Sequence, residues 1–348
     1  AYDGAGNPIV IRDANAALNN NQSDIIASYD ALGRKDYVDD PNQGRTDFTY
    51  NDFGELEKEI DANGGIIRYD MDLLGRVKWR SGNGDIATFT WDSVKKGLLT
   101  SQSQGASAKN YLYDSAARII QSDVTIDTTT YRTLTEYDAN HGRPLAMTYP
   151  GRDLATPGIK IEYRYNSHGY LTHEVNAHSN GKPDKFVYRE ITAQDAFGNI
   201  EGAKLNGGTL TGEYLYHGTT GQMLHSKVHQ GIDVLHHLGY NNPTGFGSYD
   251  SYGNLKIQEN LVTGSQDTFT YDKLHRLAQS QIRVAGVDKD PVHYAYDAVG
   301  NIKKKTDYSA NSNGAYTYTH GTNQISNVVL KDSTTVTFGY DNKGNQTH

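Results

Sequence analysis

Cysteine is absent from all 348 residues. Disulfides and cysteine-ligated zinc are therefore excluded, and with them the small stapled module common among secreted domains. Long hydrophobic runs are missing too. No apolar segment approaches the ~20 residues a membrane-spanning helix needs, and mean hydropathy is −0.70, so no membrane insertion is expected. The chain opens on "AYDGAGN", in mid-repeat and without a secretory leader. Basic residues are scattered: net charge is −8, and the only basic run, in "IKKKTD" at 302–307, reads as a solvated strand face. Nucleic-acid binding has no support. Helical periodicity is lacking as well. The best candidate, "RDANAALNNNQSDIIASYD" at 12–30, is broken by asparagines and reads as a long loop or a short helix.

What is present is tyrosine. There are 26 Tyr against 8 Phe, so the bulky apolar groups mostly carry a hydroxyl, which suits surfaces half buried and half wet. These tyrosines recur in register. Aligning on a Tyr-Asp step places units at Tyr2, Tyr29, Tyr50, Met71, Trp91, Tyr113, Tyr137, Tyr165, Gln194, Tyr216, Tyr249, Tyr271, Tyr296, Tyr318 and Tyr340. Fifteen units spanning the whole chain make it a single repeat array over residues 1–348, with no separate domain boundary. Some units are degenerate: Met71 stands for Tyr, Ala117 and His275 stand for Gly, and "YTHGTNQI" at Tyr318 is the loosest match.

Each unit reads as a β-hairpin. Asp first and Gly fourth in Asp-x-x-Gly is a type I turn preference, the Asp side chain accepting from the N–H two residues on. Gly then takes the left-handed conformation and closes a bulged loop. The expected turn residues are Asp3 and Gly6, Asp30 and Gly33, Asp250 and Gly253, Asp272 with His275 in the glycine slot, Asp297 and Gly300, and Asp341 and Gly344. A histidine in that slot marks a strained or a relaxed turn.

Two residues before the tyrosine lies a second large side chain. Residues i and i+2 share a strand face, so the ten of fifteen units that carry it present a bulky pair, among them Phe48/Tyr50, Phe89/Trp91, Tyr111/Tyr113, Tyr163/Tyr165, Phe269/Tyr271, Tyr294/Tyr296 and Phe338/Tyr340. Stacking aligns these pairs into aromatic ladders across neighbouring strands, while Thr, Asp, Gln and Lys dominate the other face. Fifteen hairpins make about 30 strands and, at ~4.8 Å each, a sheet about 140 Å wide. Open sheets that wide curl, split or close, and a single barrel about 45 Å across is too wide for side chains to fill. The expected fold is all-β: a long antiparallel sheet that curls or spirals around a cavity.

"YDALGRKD", "YDAVGNIK", "YDNKGNQT" and "YPGRDLATPGIKIEYRYNSHGYLT" (149–172) resemble the YD repeats of bacterial Rhs proteins, of Tc toxin B and C subunits and, more distantly, of teneurins. The resemblance covers essentially the whole chain. It implies a β-ribbon spiralling into a hollow shell that, in bacterial members, encloses a toxic C-terminal domain until delivery. Implied partners are the enclosed toxin polypeptide, the remaining shell repeats, and secretion or translocation machinery. The implied location is secreted or delivered: extracellular, at the cell surface, or injected. Rhs shells end in an autoproteolytic plug with paired aspartates. Asp40-Pro41 and Asp290-Pro291 do not sit in that motif, so no protease residues are assigned, and the chain reads as a stretch of a longer shell. The absence of cysteine favours a bacterial member.

No residue is assigned to catalysis, to a cofactor or to a metal. His225, His229, His236 and His237 are dense enough for a metal site to be weighed, but no carboxylate supports them at suitable spacing, and the plainer reading is surface or lining histidines. Asp3, Asp30, Asp114, Asp138, Asp250, Asp272, Asp297 and Asp341 recur too often for catalysis, since an active site needs one constellation. "DPNQGRTDF" and "DANGG" offer loop oxygens for calcium without the spacing of an EF-hand. No nucleophile elbow, phosphate loop, dinucleotide fingerprint or zinc-protease helix motif is present. The functional expectation is a non-enzymatic shell segment that encapsulates and protects a toxin or effector before delivery. The alternative is a cell-surface adhesion module recognising glycans or a receptor.

Overall fold

The computed structural model describes residues 1–14, 24–82, 84–156, 158–177, 185–240 and 248–348. The asparagine-rich stretch weighed as a loop or short helix lies largely outside them, at 15–23. Among the described residues there are 29 strands and one 3-10 turn, Asn206–Gly208, close to the about 30 strands expected for fifteen hairpins. The all-β antiparallel expectation is met.

The chain divides into two compact units, one of residues 1–89 with 291–348 and one of residues 90–290. In the first, strands from Val10–Ile11 through Asp85–Trp91 each pair antiparallel with the next. Val292–Tyr296 pairs with Ile302–Lys305, and Tyr316–Tyr318, Ile325–Val329 and Thr335–Thr337 form a small sheet of their own. In the second unit, strands from Leu99–Gln104 through Val287–Asp288 form the same meander. Short turns between sequence neighbours account for this topology, because antiparallel strands need only tight hairpins to connect them.

The two rims of the sheet differ. At the Asp-x-x-Gly rim the register slips by one residue immediately before the tyrosine position: between Ser28 and Tyr29, Thr49 and Tyr50, Leu112 and Tyr113, Arg164 and Tyr165, and Thr270 and Tyr271, among others. At the rim of the inter-repeat turns the register mostly continues unshifted, as in Asp40↔Gly44 and Ile60↔Ile66, with slips between Glu174 and Val175 and between Val228 and His229. A bulge bends its strand and increases local twist. Bulges repeated at the Asp-x-x-Gly rim are a built-in source of curvature.

Little of the chain is fully buried. Six hydrophobic side chains reach that state among the described residues, four of them alanines or small. The chain exposes 20980 Å², against about 14,000 Å² for a compact monomer of its mass.

Candidate functional site

The feature that recurs along the molecule is the joint between one hairpin and the next. It begins with the turn aspartate. Asp30 Oδ1 accepts the backbone N–H groups of Leu32 and Arg34, both at 2.9 Å, and Oδ2 accepts Arg34 Nε at 2.7 Å. Asp30 N–H donates to the Arg34 carbonyl and Gly33 N–H to the Asp30 carbonyl, which closes the loop. Asp72, Asp114 and Asp272 repeat this with Arg76, Arg118 and Arg276. Asp3, Asp195, Asp250, Asp297 and Asp341 repeat it with an asparagine amide in place of the guanidinium. Side-chain and backbone donors from the residue four positions on hold the Asp3, Asp30, Asp72, Asp114, Asp195, Asp250 and Asp272 carboxyls below their ordinary range, led by the Arg34 N–H at Asp30 and the Arg76 guanidinium at Asp72. Asp341, held mainly by Asn345, is brought down to about 2.

The glycine slot enforces a left-handed backbone whatever occupies it. Gly33 has φ +77°, Ala117 +67° and His275 +61°. His275 therefore keeps the strained turn instead of relaxing it. Its ring lies 4.3 Å from that of Tyr252 in the preceding turn, and its Nδ1 is 3.0 Å from Asn254 Nδ2.

The tyrosine then reaches back one repeat. Tyr113 donates its hydroxyl to the Leu99 carbonyl at 2.7 Å, Tyr165 to Pro144 at 2.8 Å, Tyr249 to Met223 at 3.0 Å, Tyr271 to Leu255 at 2.6 Å and Tyr318 to Ile302 at 2.8 Å. Each acceptor lies just beyond the previous turn, at or beside the start of its outgoing strand. Above the ring sits the previous turn's arginine: Arg34 over Tyr50 at 4.7 Å, and Arg118 over Tyr137 and Arg143 over Tyr165 at 4.5 Å. Equivalent tyrosines on successive hairpins are two strands, roughly 9.6 Å, apart, too far for ring contact. The arginine fills that gap, bonded on one side to its own aspartate and stacked on the other on the next repeat's tyrosine.

The bulky pairs Phe48/Tyr50, Phe89/Trp91, Tyr111/Tyr113, Tyr163/Tyr165, Phe269/Tyr271, Tyr294/Tyr296 and Phe338/Tyr340 are all half-buried, and Thr49, Thr90, Leu112, Arg164 and Thr270 between them are exposed. Ring-to-ring contact occurs within a pair, Tyr111 to Tyr113 at 6.4 Å. Burial, with help from Glu59, pushes the Tyr69 phenol up to about 12, and burial with Tyr149 does the same to Tyr163. The Arg or Asn after the glycine, as in "YDALGRKD" and "YDAVGNIK", had no role in the reading of the sequence. Its signal was its recurrence.

The histidines are dispersed by their strands. His225 and His237 meet edge to face at 5.7 Å, His229 turns to Glu213 at 3.4 Å, and His236 lies 3.3 Å from Ser226 Oγ. Burial, then His225 and Lys227, lower the basicity of His237. Among the described residues no three His, Asp or Glu side chains are placed to hold a metal ion. Two open grooves lie between successive Asp-x-x-Gly turns, one of about 570 Å³ beside Tyr252, Phe269, Tyr271 and His275 and one of about 360 Å³ beside Phe53, Leu56, Tyr69 and Met71. The turn carboxylates in them, Asp250, Asp272 and Asp72, are engaged by turn N–H groups. Asp290 is exposed, and Asp40 caps its own turn through the Asn42 N–H.

A meander of hairpins bulged at capped Asp turns and tied by tyrosine to the hairpin before defines the fold class: an antiparallel β-hairpin repeat. The chain matches the crystal structure of TcdB2-TccC3-TEV at 17% identity and a TM-score of 0.75, and that of TcdB2-TccC3-Cdc42 at 17% identity and 0.74. Each match covers 99% of this chain and 19% of the other. TcdB2-TccC3 without its hypervariable C-terminal region matches at 17% identity and 0.72, over 93% and 18%. This chain therefore has the fold of the matched part of the TcdB2-TccC3 structures, and it spans about a fifth of their length. No family model and no curated protein matches the sequence.

Proposed function

We propose that this chain is one continuous stretch, residues 1–348, of a YD-repeat shell that encloses and protects a toxin or effector polypeptide before delivery. The observation carrying this reading is the match of 99% of the chain to TcdB2-TccC3 structures. One of those structures includes Cdc42, and another is defined by lacking a hypervariable C-terminal region. We infer the corresponding arrangement here: a constant wall around a variable guest, secreted or delivered to its target. The wall does no chemistry. Its recurring carboxylates serve as turn caps and its aromatic pairs as joints, and a half-buried face of tyrosines with a polar reverse offers an unfolded guest no firm hydrophobic site to bind. Its partners are the guest, the remaining shell repeats, and the secretion or translocation machinery.

The test is limited proteolysis of the full-length gene product. The guest is expected to survive a protease dose that digests it when expressed alone, and to become sensitive once the wall is unfolded. Equal digestion of the free and shell-bound guest would sink the reading. A second reading, adhesion to glycans or a receptor, is favoured by one observation: aromatic rings at turn tips are strongly exposed, Phe53 at 90%, Tyr252 at 76% and Phe197 at 71%. Binding of the chain to a glycan array, lost on replacing Phe53 and Tyr252, supports that reading instead.

A further inference from the structure

Within the first unit the chain's last repeats lie against its first. Contacts there join residues 278 to 282 positions apart, and they are specific in kind. The turns at 40–44 (Asp-Pro-Asn-Gln-Gly) and 61–65 (Asp-Ala-Asn-Gly-Gly) belong to the inter-repeat rim. Facing them are the turns after Tyr318 and Tyr340, which belong to the opposite, Asp-x-x-Gly rim.

These two inter-repeat turns are built the same way. In each, the aspartate caps the turn by accepting the N–H two residues on, Asn42 at 2.8 Å and Asn63 at 3.0 Å. That leaves the third-position asparagine pointing outward. Asn42 Oδ1 accepts the Asn323 N–H at 2.5 Å, and its carbonyl accepts Gln324 Nε2 at 3.0 Å. One repeat on, Asn63 Oδ1 accepts the Asn342 N–H at 3.1 Å, and its Nδ2 donates to Asp341 Oδ2 at 3.0 Å. Lys343 Nζ meets Asp61 Oδ2 at 2.7 Å. The approach is close enough to need glycine: a Cβ on Gly344 would overlap the Asn42 carbonyl, and one on Gly44 would lie 2.6 Å from the Asn342 carbonyl. Glycines in comparable turns elsewhere, Gly105, Gly231, Gly286 and Gly300, have open space around them.

We propose that Asp-x-Asn-x-Gly on the inter-repeat rim is a docking code: it seats an Asp-x-x-Gly-type turn from another course of the wall and sets the register between courses. Asparagine suits the task because its side chain carries both an acceptor and donors: Asn63 accepts the incoming backbone N–H and donates to the incoming Asp341, whereas Asn42 accepts the incoming N–H and donates back to its own Asp40. The inter-repeat turns at 104–107, 230–233 and 284–287 lack the pattern, and Ile232 and Val287 at their tips are 97% and 60% exposed. The code concerns how the wall joins itself and holds whether the wall encloses a guest or binds a surface.

These 348 residues contain no cysteine, and any cysteine elsewhere in the full-length protein is first replaced by serine. In the full-length protein, Asn63→Cys with Asn342→Cys is expected to form an intramolecular disulfide under mild oxidation, and to form none in urea. Adding Asn42→Ala or Gly344→Ala is expected to slow that cross-link about tenfold, the effect of losing roughly 1.4 kcal/mol. Gly300→Ala, the same turn position without a facing rim, leaves it unchanged. Circular dichroism confirms that each variant stays folded, and the Asn42→Ala result stands alone should Gly344→Ala unfold. The proposal is overturned by cross-links that form only between molecules, by equal effects of Gly344→Ala and Gly300→Ala, or by no effect of Asn42→Ala.

Discussion

Tyr271 donates its hydroxyl to the backbone carbonyl of Leu255, 2.6 Å away and sixteen residues earlier in the chain. The phenol leaves its own hairpin to satisfy a carbonyl just ahead of the strand Ile257–Asn260 of the previous one. Phenylalanine cannot make this bond, which gives a physical reason for 26 tyrosines beside 8 phenylalanines.

Replacing Tyr271 by Phe is therefore expected to cost about 0.5–1.5 kcal/mol, the net value of one such bond. Tyr113→Phe, which breaks the bond to Leu99, is expected to cost the same. The two are far apart, so the double variant is additive within about 0.5 kcal/mol. Urea unfolding midpoints measure this, and midpoints equal to wild type in both single variants would remove the hydroxyl from the joint.

Arg118 both forks onto Asp114 and covers Tyr137. Lysine keeps the charge but lacks the planar fork and the stacking face. Arg118→Lys is expected to lose most of what Arg118→Met loses, about 1 kcal/mol for this partly exposed group. Full rescue by lysine in the same unfolding assay would reduce the interaction to simple charge.

Ala117 and His275 sit at φ +67° and +61°. Glycine relieves about 1–2 kcal/mol of left-handed strain, offset by about 0.4–1 kcal/mol of unfolded-state entropy. Ala117→Gly is thus expected to raise the melting temperature. His275→Gly is expected to gain less, because it also loses the Tyr252 stack and the Asn254 contact. A larger gain at 275 than at 117 contradicts this.

Acid is expected to loosen the turns and the seam together. Asp30, Asp72, Asp114, Asp272 and Asp61 are all held below their ordinary 3.8, Asp61 chiefly by Lys343, and Asp341 is held at about 2. A carboxylate with a depressed folded pKa contributes stability that is complete above its unfolded value and is lost as pH falls through the folded one. The urea midpoint should stay level between pH 7 and about 5, then drop from about 4 towards 2. A midpoint that rises on acidification refutes this.

Alkali probes the other face. The Tyr69, Tyr163 and Tyr318 phenols are raised to about 12, chiefly by burial. A raised folded pKa contributes stability that is present below the unfolded value of 10 and lost as pH rises through the folded one. Phenolate absorbance of the native protein should lag that of the protein in urea between pH 10 and 12, and coincident titrations would mean these rings are not desolvated.

Much of this was legible in one dimension. The Tyr-Asp register, the aspartate and glycine of each turn and the paired bulky residues are local patterns, and they point to all-β hairpins because turn chemistry and strand alternation act within a few residues. The partners of those groups were not legible. Arg118 recurs beside the glycine as plainly as Asp114 recurs before it, yet its stacking on Tyr137 depends on the spacing between hairpins. Likewise "DPNQG" and "DANGG" offered oxygen atoms without saying to what, and the structure turns Asn42 and Asn63 towards backbone N–H groups some 280 residues away.

The sequence by itself determined the unit: a hairpin with a capped turn, a left-handed fourth position and one aromatic face, all set by short-range sterics and hydrogen bonding. Only the tertiary structure decided how units join, with tyrosine reaching back, arginine filling the gap, and late turns seated on early ones. Those contacts depend on the twist and bulge summed over many strands, and no window of the sequence contains that sum.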